Sequence, residues 1–242
     1  MIRCVAKAAM RMPFIAGRPR VVARSAEDWL SSDRPLVAPG GNRSLAYRAA
    51  KRSIDVVGAS LLLALLSPIM LGVCLILMVT TRGRPIFVQK RVGLGGRRFR
   101  MFKFRTMVVG ADERQKLVAN EHQGPIFKNR RDPRITRIGR FLRTTSLDET
   151  PQFLHVLWGD MSLVGPRPPV PREVMEYAPW QRRRLSVKPG LTCLWQVSGR
   201  SEIGFEDWMR MDLWYVRHQS LATDLLLLVR TPASVFSRRG AY

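Results

Sequence analysis

Residues 54–80 read IDVVGASLLLALLSPIMLGVCLILMVT, and this apolar stretch decides the fold. No charged residue follows Asp55 until Arg82, so the segment from Val56 to Val79 contains 24 uncharged residues in a row. An α-helix rises about 1.5 Å per residue, which gives this segment a length of about 36 Å, and the hydrocarbon core of a bilayer is about 30 Å thick. The stretch is therefore long enough to enter a membrane as a helix.

The apolar stretch is interrupted by Ser67-Pro68. Proline has no N–H group, so Pro68 leaves the carbonyl of Ala64 without its helical donor, and a proline in a helix interior costs about 3 kcal/mol. The hydroxyl of Ser67 can satisfy the freed backbone. A break here favours a helix that enters the membrane and returns. An ordinary kinked transmembrane helix is the alternative, since proline is tolerated in membrane helices.

The charge on the two sides of the stretch also favours re-entry. Residues 1–52 contain 11 Lys/Arg and 3 Asp/Glu, and the rest of the chain contains 30 Lys/Arg and 15 Asp/Glu. Basic flanks stay in the cytoplasm, and a transmembrane helix would export one of them. We therefore predict a basic, flexible N-terminal tail over 1–47, a re-entrant membrane helix over 48–82 and a cytoplasmic catalytic domain over 83–242. The tail also has features of a transit peptide, which composition leaves open.

The whole chain is strongly basic, with 41 Lys/Arg against 18 Asp/Glu and a net charge of +23 in 242 residues. Such a charge predicts an anionic partner: nucleic acid, an acidic lipid surface or a phosphorylated small molecule. Nucleic acid is not expected, because it explains neither the apolar stretch nor the acidic helix start at residues 148–149. The three cysteines and three histidines are widely separated, which excludes a disulfide framework and argues against a zinc site.

Outside the apolar stretch, the pattern predicts an α+β fold that is mostly helical. Residues 85–107 contain two β-rich runs around Gly93-Leu94-Gly95-Gly96, which indicates a small β-hairpin. Helices are predicted over 111–122, around 135–142, and over 152–158, 207–218 and 224–230. The last two are rich in Trp, Leu and Arg, so they are candidates for interfacial amphipathic helices, with core packing as the alternative.

The segment from Arg143 to Pro151, RTTSLDETP, is the first candidate for chemistry. Because Pro151 lacks an N–H group, it belongs near the start of a helix, which places Asp148 at the N-cap and Glu149 at the first helical position. A helix N-terminus favours negative charge, so we expect Asp148 to be ionised. Two adjacent carboxylates also suit a hard cation such as Mg²⁺. The alternative is that Asp148 is only a helix cap.

Basic residues form the second candidate group, and several of them stand next to glycine or proline. Arg167 lies between prolines in GPRP, and Arg200 follows Ser198-Gly199. Rigidly held guanidinium groups suit bidentate phosphate recognition. The sequence has no Walker A or GxGxxG motif that would bind phosphate through the backbone. The full group is Lys103, Arg105, Arg143, Arg167 and Arg200, and solvated surface arginines are the alternative interpretation.

Taken in order along the chain, six segments resemble the bacterial sugar transferases of the monotopic phosphoglycosyl transferase family. They are KRSID at 51–55, Ser67-Pro68, PIFVQKRVGLGGRRFRMFKFRTM at 85–107, LRTTSLDETPQ at 142–152, GDMSLVGPRP at 159–168 and PGLTCLWQVSGR at 189–200. The resemblance covers roughly residues 48–235 and is to the compact form found in exopolysaccharide-priming enzymes. One departure is Cys193, where the family usually has glycine, and it bears on the local backbone geometry.

The resemblance implies transfer of a sugar 1-phosphate from a UDP-sugar to undecaprenyl phosphate with release of UMP, as the first membrane step of exopolysaccharide or other glycoconjugate synthesis. It implies that Asp148 forms a phosphosugar–aspartyl intermediate, with Glu149 as its partner and Mg²⁺ nearby. The matching basic residues are Arg143, Arg167 and Arg200 at the phosphate site, and Lys103 and Arg105 in the KFRTM segment. The expected location is the cytoplasmic face of the bacterial inner membrane, in contact with anionic lipid. Homo-oligomerisation is left open.

Overall fold

The structure is a computed structural model that describes residues 36, 44–82, 84–121, 125–127, 129–199 and 203–237. The predicted tail over 1–47 lies outside the described residues except for Leu36 and residues 44–47. Leu36 is 1% exposed, and its N–H group donates to the carbonyl of Gly95 at 2.7 Å. This residue of the tail segment is therefore packed against the catalytic domain.

The apolar stretch forms one long helix, α1, over Leu45–Thr80. Among the described residues, this 36-residue helix is the single one that is long and apolar enough to cross a membrane. Helical structure continues through Pro68 instead of ending there. The hydroxyl of Ser67 donates to the carbonyl of Ala64 at 2.9 Å, the carbonyl that Pro68 leaves without its donor. The sequence predicts that the Ser67 hydroxyl replaces the missing N–H donor of Pro68. This hydrogen bond explains how the helix continues through the proline.

The apolar side chains in the middle and second half of α1 are exposed. They include Leu61, Leu65, Ile69, Leu71, Leu75, Ile76, Met78 and Val79. Near its start, α1 buries Asp55 and Ala59, and near its end it buries Leu77, which packs in a cluster with Phe104 and Leu142. Both ends of the apolar stretch thus contact the same domain, and the part between them is a bare apolar surface of the kind that lipid covers.

Residues 85–107 form the predicted hairpin. Strand β1 covers Ile86–Val92 and strand β2 covers Arg98–Phe104, and the two pair antiparallel along their whole length. The connection contains a short 3-10 helix over Leu94–Gly96, in which Gly95 and Gly96 have φ angles of 67° and 92°. Glycine adopts such angles without steric cost, so the GLGG sequence fixes where the chain reverses. The hairpin prediction is confirmed.

The other described elements are mainly helical. The α-helices are α2 (Arg137–Thr144), α3 (Phe153–Trp158), α4 (Pro171–Glu176), α5 (Phe205–Arg217) and α6 (Leu221–Phe236). Two short parallel strands, β3 (Ser162–Val164) and β4 (Gly190–Thr192), form a second sheet. Further 3-10 helices cover Glu113–Leu117, Leu147–Gln152 and Gln181–Ser186. This arrangement is the α+β, mostly helical class that the sequence predicts.

The helix predicted over 111–122 is wrong in type and extent. Among the described residues 111–121, only Glu113–Leu117 is helical, as a 3-10 helix, and none of its residues is buried. A short polar helix gains its stability in a protein from packing an apolar face, and this segment has no such face. The helices predicted at 207–218 and 224–230 are present as α5 and α6.

The main core includes the inner face of α5. Met209, Met211 and Tyr215 are each at most 2% exposed. Trp195 and Trp208 are also buried, with their ring centroids 4.2 Å apart. For these two tryptophans, core packing is correct and the membrane-surface interpretation is not. Helix α6, in contrast, exposes apolar side chains, namely Leu225, Val229 and Phe236.

The KRSID segment attaches the start of α1 to the domain. Asp55 Oδ1 accepts hydrogen bonds from the hydroxyl of Ser162 and the N–H group of Leu163, both at 2.9 Å. Lys51 Nζ lies 2.9 Å from Asp224 Oδ2 at the start of α6. These contacts are mostly buried, so they define how α1 leaves the domain.

Arg52 completes this attachment. Its two terminal nitrogens donate to the carbonyls of Val156 and Leu157, both at 2.6 Å. These carbonyls lie in the last turn of α3, where backbone acceptors have no intrahelical donor. Arg52, on α1, therefore caps the C-terminal end of α3.

Candidate active site

Charged side chains converge on a cavity of about 330 Å³ beside the hairpin, the 3-10 helix Leu147–Gln152 and the segment 165–170. The predicted site residues that line it are Lys103, Arg143, Asp148, Glu149 and Arg167. Charged residues that the sequence analysis did not single out also line it, among them Arg91, Asp132, Arg134, Arg172, Glu173 and Arg184. Arg200 lies outside the described residues.

A sharp reversal of the chain after α2 places the two carboxylates. Ser146 has a φ of 58°, in the left-handed region, and it is the N-cap of the 3-10 helix that carries Asp148 and Glu149 in its first turn. Pro151 lies inside that same helix. The predicted N-cap at Asp148 is therefore wrong by two residues, because the turn at Ser146 starts the helix earlier than Pro151 alone requires.

Asp148 is 8% exposed, and its environment raises its pKa to about 7. Burial is the main cause, and the neighbouring charge of Glu149 adds to it. The cations of Lys103, Arg143 and Arg167 act in the opposite direction. Burial therefore favours the protonated form of Asp148, against the expectation that the helix start and the arginines keep it ionised. The helix start and the arginines do not outweigh the loss of hydration.

Glu149 is held as a carboxylate by Arg167. Arg167 Nη1 donates to Glu149 Oε1 at 3.0 Å. Burial by itself raises the pKa of Glu149, but the charges of Arg167 and Lys103 hold that pKa below its usual value. Arg167 is in turn stabilised in its charged form, since Glu149 raises its pKa. The pKa values of the two adjacent carboxyl groups are thus shifted in opposite directions: that of Glu149 is lowered by its cationic neighbours, and that of Asp148 is raised by burial.

The cations around the carboxylates repel one another. Burial lowers the pKa of Lys103 to about 8, and the charge of Arg91 contributes. Burial also lowers the pKa of Arg91 to about 10, with Arg167 adding to the shift. Burial lowers the pKa of Arg143 as well, and its Nε donates to Thr106 Oγ1 at 3.0 Å. Four cations therefore face two carboxylates, an arrangement that favours binding of an anion such as a phosphate group.

Strand alternation explains why Arg91 joins the site. Side chains two residues apart on a strand point to the same face, so Phe87, Gln89 and Arg91 share one face of β1, and all three line the cavity. Lys103 stands directly opposite Phe87 on β2, and its ammonium lies 5.3 Å from the centre of that ring. The period-two pattern of IFVQKRV is thus the signal that could have identified Arg91.

Arg105 is not part of the cavity lining. Its Nε donates to the carbonyl of Arg84 at 2.7 Å, and its Nη2 donates to that of Ile86 at 3.3 Å. These contacts tie the end of β2 to the segment that enters β1. Its guanidinium carbon also lies 5.6 Å from the ring centre of Phe87, which lines the cavity, so Arg105 stands behind this wall and holds the base of the hairpin.

A second wall of the cavity contains a paired cation. Arg134 Nη2 lies 2.6 Å from Asp132 Oδ2, and both side chains are at most 5% exposed. The guanidinium also stands 5.0 Å from the ring centre of Phe127. Because its charge is compensated, Arg134 contributes shape and stability to this wall more than it contributes to the cation excess.

The carboxylates fit Mg²⁺ only with help from a substrate. Among the described residues, no group of three or more His, Cys, Asp and Glu side chains is placed to hold a metal ion. Asp148 and Glu149 supply two adjacent carboxylates, and one oxygen of Glu149 is engaged by Arg167. Mg²⁺ commonly takes one or two carboxylates and completes its shell with substrate phosphates and water. The donor set therefore suits Mg²⁺ that arrives with a phosphorylated ligand.

Cys193 takes an ordinary backbone conformation. In the described part of the chain, Arg82 and Ser146 are the non-glycine residues with positive φ. The side chain of Cys193 is buried, and its thiol donates to Gln196 Oε1 at 2.9 Å. A side chain at this position therefore does not distort the backbone beside the cavity.

A family model and several known proteins match this chain. The model, described as bacterial sugar transferase, matches residues 46–238. The chain is 46% identical to the UDP-galactose-lipid carrier transferase of Erwinia amylovora, 44% to the undecaprenyl-phosphate galactose phosphotransferase of Salmonella typhimurium and 39% to the exopolysaccharide production protein ExoY of Rhizobium meliloti. The alignments cover 81% of this chain for the first two relatives and 80% for the third. They cover 42% of the Erwinia protein, 42% of the Salmonella protein and 88% of the Rhizobium protein. The chain thus spans less than half the length of the first two.

Proposed function

Because this chain belongs to the bacterial sugar transferase family, we propose that it transfers a sugar 1-phosphate from a UDP-sugar to undecaprenyl phosphate and releases UMP. The observation that carries this proposal is the cavity in which four cations face two adjacent carboxylates. The cation excess suits the diphosphate of the donor, and a buried carboxylate supplies a nucleophile.

In the first step, a carboxylate oxygen of Asp148 attacks the phosphorus that carries the sugar. The bond from this phosphorus to the oxygen shared with the uridine-bearing phosphate breaks, and UMP leaves with the bonding electrons. A phosphosugar–aspartyl intermediate remains. Lys103 and Arg143 favour the ionised form of Asp148 and offset the repulsion between carboxylate and diphosphate.

In the second step, an oxygen of undecaprenyl phosphate attacks the same phosphorus. The bond to Asp148 breaks, so the carboxylate is regenerated and undecaprenyl-diphosphate-sugar forms. The nucleoside phosphate and the lipid phosphate are both anions that need the same cations, so UMP leaves before the lipid phosphate occupies the site. The reaction is therefore ping-pong.

The position of the carboxylates relative to α1 supports a lipid acceptor. Leu147, the residue before Asp148, packs against the cluster formed by Leu77, Phe104 and Leu142. Leu77 lies near the end of the membrane helix. The nucleophile is thus one residue away from a contact with the helix that we infer to enter the lipid.

We infer that α1 is re-entrant and that both its flanks lie at the cytoplasmic face of the inner membrane. Asp55 near the start and Leu77 near the end of the apolar stretch are both buried against the catalytic domain. A folded domain of this kind lies on one side of a bilayer, so a helix that crossed would carry one of these residues away from it. The basic flanks agree with a cytoplasmic placement.

Mg²⁺, when bound, would be held by Asp148 and Glu149 together with phosphate oxygens of the donor, and it would neutralise part of the diphosphate charge. The chain's own contribution remains separate from this. Arg167 holds Glu149 in place at 3.0 Å, and Thr106 orients Arg143 at 3.0 Å. Both contacts keep charged groups pointed at the space that the diphosphate would occupy.

A UMP-release assay tests the proposed function. The full chain in lipid nanodiscs receives undecaprenyl phosphate and Mg²⁺ with one donor at a time: UDP-galactose, UDP-glucose or a UDP-N-acetylhexosamine. The names of two of these relatives specify galactose, so UDP-galactose is the first donor we expect to react. The lipid product should appear in step with UMP. Folded protein that releases no UMP from any donor would contradict the proposal.

A further inference from the structure

The loop that presents Arg167 is held by its carbonyl groups. Residues 165–169 read GPRPP, and prolines have no N–H group to donate. At the two ends of the loop, backbone donors supply the contacts. The N–H group of Gly190 donates to the carbonyl of Pro166, and that of Val92 donates to the carbonyl of Pro169, both at 2.9 Å.

The two carbonyls in the middle of the loop accept from arginine side chains instead. Arg184 Nη2 donates to the carbonyl of Arg167 at 2.8 Å, and Arg91 Nη1 donates to that of Pro168 at 2.8 Å. The backbone of Arg167 is thus fixed by side chains that come from distant parts of the chain. Any change in the position of Arg184 is transmitted directly to the residue that contacts Glu149.

Arg184 differs from the cations that surround Asp148. It is 2% exposed, and its Nη2 lies 2.6 Å from Asp212 Oδ2, whose residue is 1% exposed. Its Nη1 donates to the hydroxyl of Tyr177 at 2.8 Å. The rings of Tyr177 and Trp208 have their centres 5.7 Å and 5.6 Å from its guanidinium carbon. Its charge is compensated by Asp212 and its side chain is 1% exposed, so although the residue borders the cavity it presents almost no surface to a phosphate.

We propose that Arg184, held by Asp212, is a positioning residue for the phosphoryl transfer: it fixes the carbonyl of Arg167 and so aims the Arg167 guanidinium at Glu149 and the anion site. This inference rests on the proposed function. A planar guanidinium meets the carboxylate, the hydroxyl and the carbonyl at the same time. A lysine ammonium keeps the charge that Asp212 needs but lacks the planar fork that reaches all three groups.

The test compares two identical changes at neighbouring positions. Arg184→Lys should lower kcat by about 10-fold to 100-fold, because small displacements of a positioned group are costly to turnover. Arg183→Lys is the matched control. Arg183 lies in the same 3-10 helix, is only partly buried and does not line the cavity, so kcat should not change. Thermal unfolding of both variants establishes that each is folded.

A double-mutant cycle with Arg167→Ala separates positioning from general stability. If Arg184 acts through Arg167, adding Arg184→Lys to Arg167→Ala should change kcat by less than about twofold. The dissociation constant for UDP is measured on the same four proteins by calorimetry. Arg184→Lys should weaken UDP binding by about tenfold in the parent protein and leave it unchanged in Arg167→Ala.

Three results would overturn the inference: a parental kcat and UDP affinity in Arg184→Lys, equal losses in both backgrounds of the cycle, or an equal loss in Arg183→Lys. Equal losses in both backgrounds would mean that Arg184 acts independently of Arg167. If the parent protein binds UDP but turns over no UDP-sugar, the proposed function fails. The double-mutant cycle measured by UDP affinity then still tests whether Arg184 acts through Arg167. If the parent protein does not bind UDP, both fail.

Discussion

The start of α1 and the active-site cavity use the same residue types for different purposes. At the start of α1, which we call the junction (Lys51, Arg52 and Asp55), each charged group meets a counterpart: a carboxylate, two carbonyls, or a hydroxyl with a backbone N–H. In the cavity group (Arg91, Lys103, Arg143, Asp148, Glu149 and Arg167), four cations face two carboxylates.

The difference shows that a basic sequence alone does not reveal which of its charges hold the fold together and which bind an anion. A compensated cluster is complete without a ligand, so the junction holds two parts of the fold together. In the cavity, burial lowers the pKa of Lys103, and the charges of Arg91, Arg143 and Arg167 lower it further, so the excess of cations adds to the cost of keeping Lys103 charged. An anion that binds there relieves repulsion between the cations. Changes in the cavity group should therefore affect turnover, and changes in the junction should affect stability.

The largest effect should come from Asp148→Asn. Asparagine keeps the size of the side chain but cannot form the phosphosugar–aspartyl bond, so turnover should fall by at least about 10⁴-fold. With label in the sugar of the donor and no lipid acceptor, the parent protein should gain a label at Asp148, detectable by mass spectrometry, and release about one UMP per site.

Asp207→Asn is the matched control, since Asp207 is a 42% exposed carboxylate on α5. It should keep both turnover and labelling. An adduct of normal yield in Asp148→Asn would show that the covalent step uses another residue.

The next largest effects should come from the cations. Arg143→Ala and Arg167→Ala should each lower kcat by about 10²-fold to 10³-fold, since each removes a charge aimed at the diphosphate. Lysine should restore little activity, because it cannot form the bidentate fork. Arg210→Ala serves as the control, as this side chain is 40% exposed on α5. Arg167→Lys with normal kcat would contradict a bidentate role.

A smaller effect on turnover should come from Asp55→Ala in the junction. Asp55 is 4% exposed, and its loss leaves Ser162 and the N–H group of Leu163 without an acceptor. We expect the free energy of unfolding to fall by about 1–3 kcal/mol, while kcat per folded molecule stays within about twofold of the parent. Thermal unfolding in detergent and an active-site count measure the two quantities. A large loss of kcat with an unchanged free energy of unfolding would contradict the distinction between the junction and the cavity group.

The smallest effect should come from Ser67→Ala. It removes the donor to the carbonyl of Ala64, at a cost of about 1 kcal/mol in the free energy of unfolding, with turnover nearly unchanged.

The topology of α1 is measured with single cysteines in place of Leu45 and Arg84, in a background without the three native cysteines. A membrane-impermeant reagent should label neither position from the periplasm of intact cells. Pro68→Ala restores an N–H group, so it should let a fraction of the chains cross. Labelling of Arg84→Cys from the periplasm without that change would exclude re-entry.

Local patterns were sufficient for the elements that depend on neighbours in sequence. The apolar run predicts α1, the GLGG turn predicts the hairpin, and Ser67 next to Pro68 predicts the replaced hydrogen bond. The sequence also brings Asp148 and Glu149 to the start of a helix, although Ser146 starts it two residues earlier than Pro151 suggested. Each of these features results from backbone sterics or hydrogen bonding within a few residues.

Electrostatics in the site could not be predicted in the same way. The sequence shows Asp148 beside a helix start and among arginines, which indicates an ionised carboxylate, yet burial raises its pKa to about 7. Burial depends on the hairpin and the loop at 165–170 closing over the carboxylate, and these segments are far from it in sequence. The motif therefore points to the residue, whereas its pKa depends on packing that the motif does not show.

The segment QRRRL at 181–185 is the simplest case in which the local sequence does not show which side chain is buried. The sequence alone shows that the chain is basic, that it contains an apolar stretch long enough to enter a membrane and that carboxylates stand near arginines. It gives no reason to distinguish Arg184 from Arg182 and Arg183. The tertiary structure buries only Arg184 among the three, because Asp212 on α5 pairs with it and the loop of Arg167 accepts its hydrogen bond. A charged side chain is buried only where an ion-pair or hydrogen-bond partner compensates it, and the tertiary fold decides which residues become such partners.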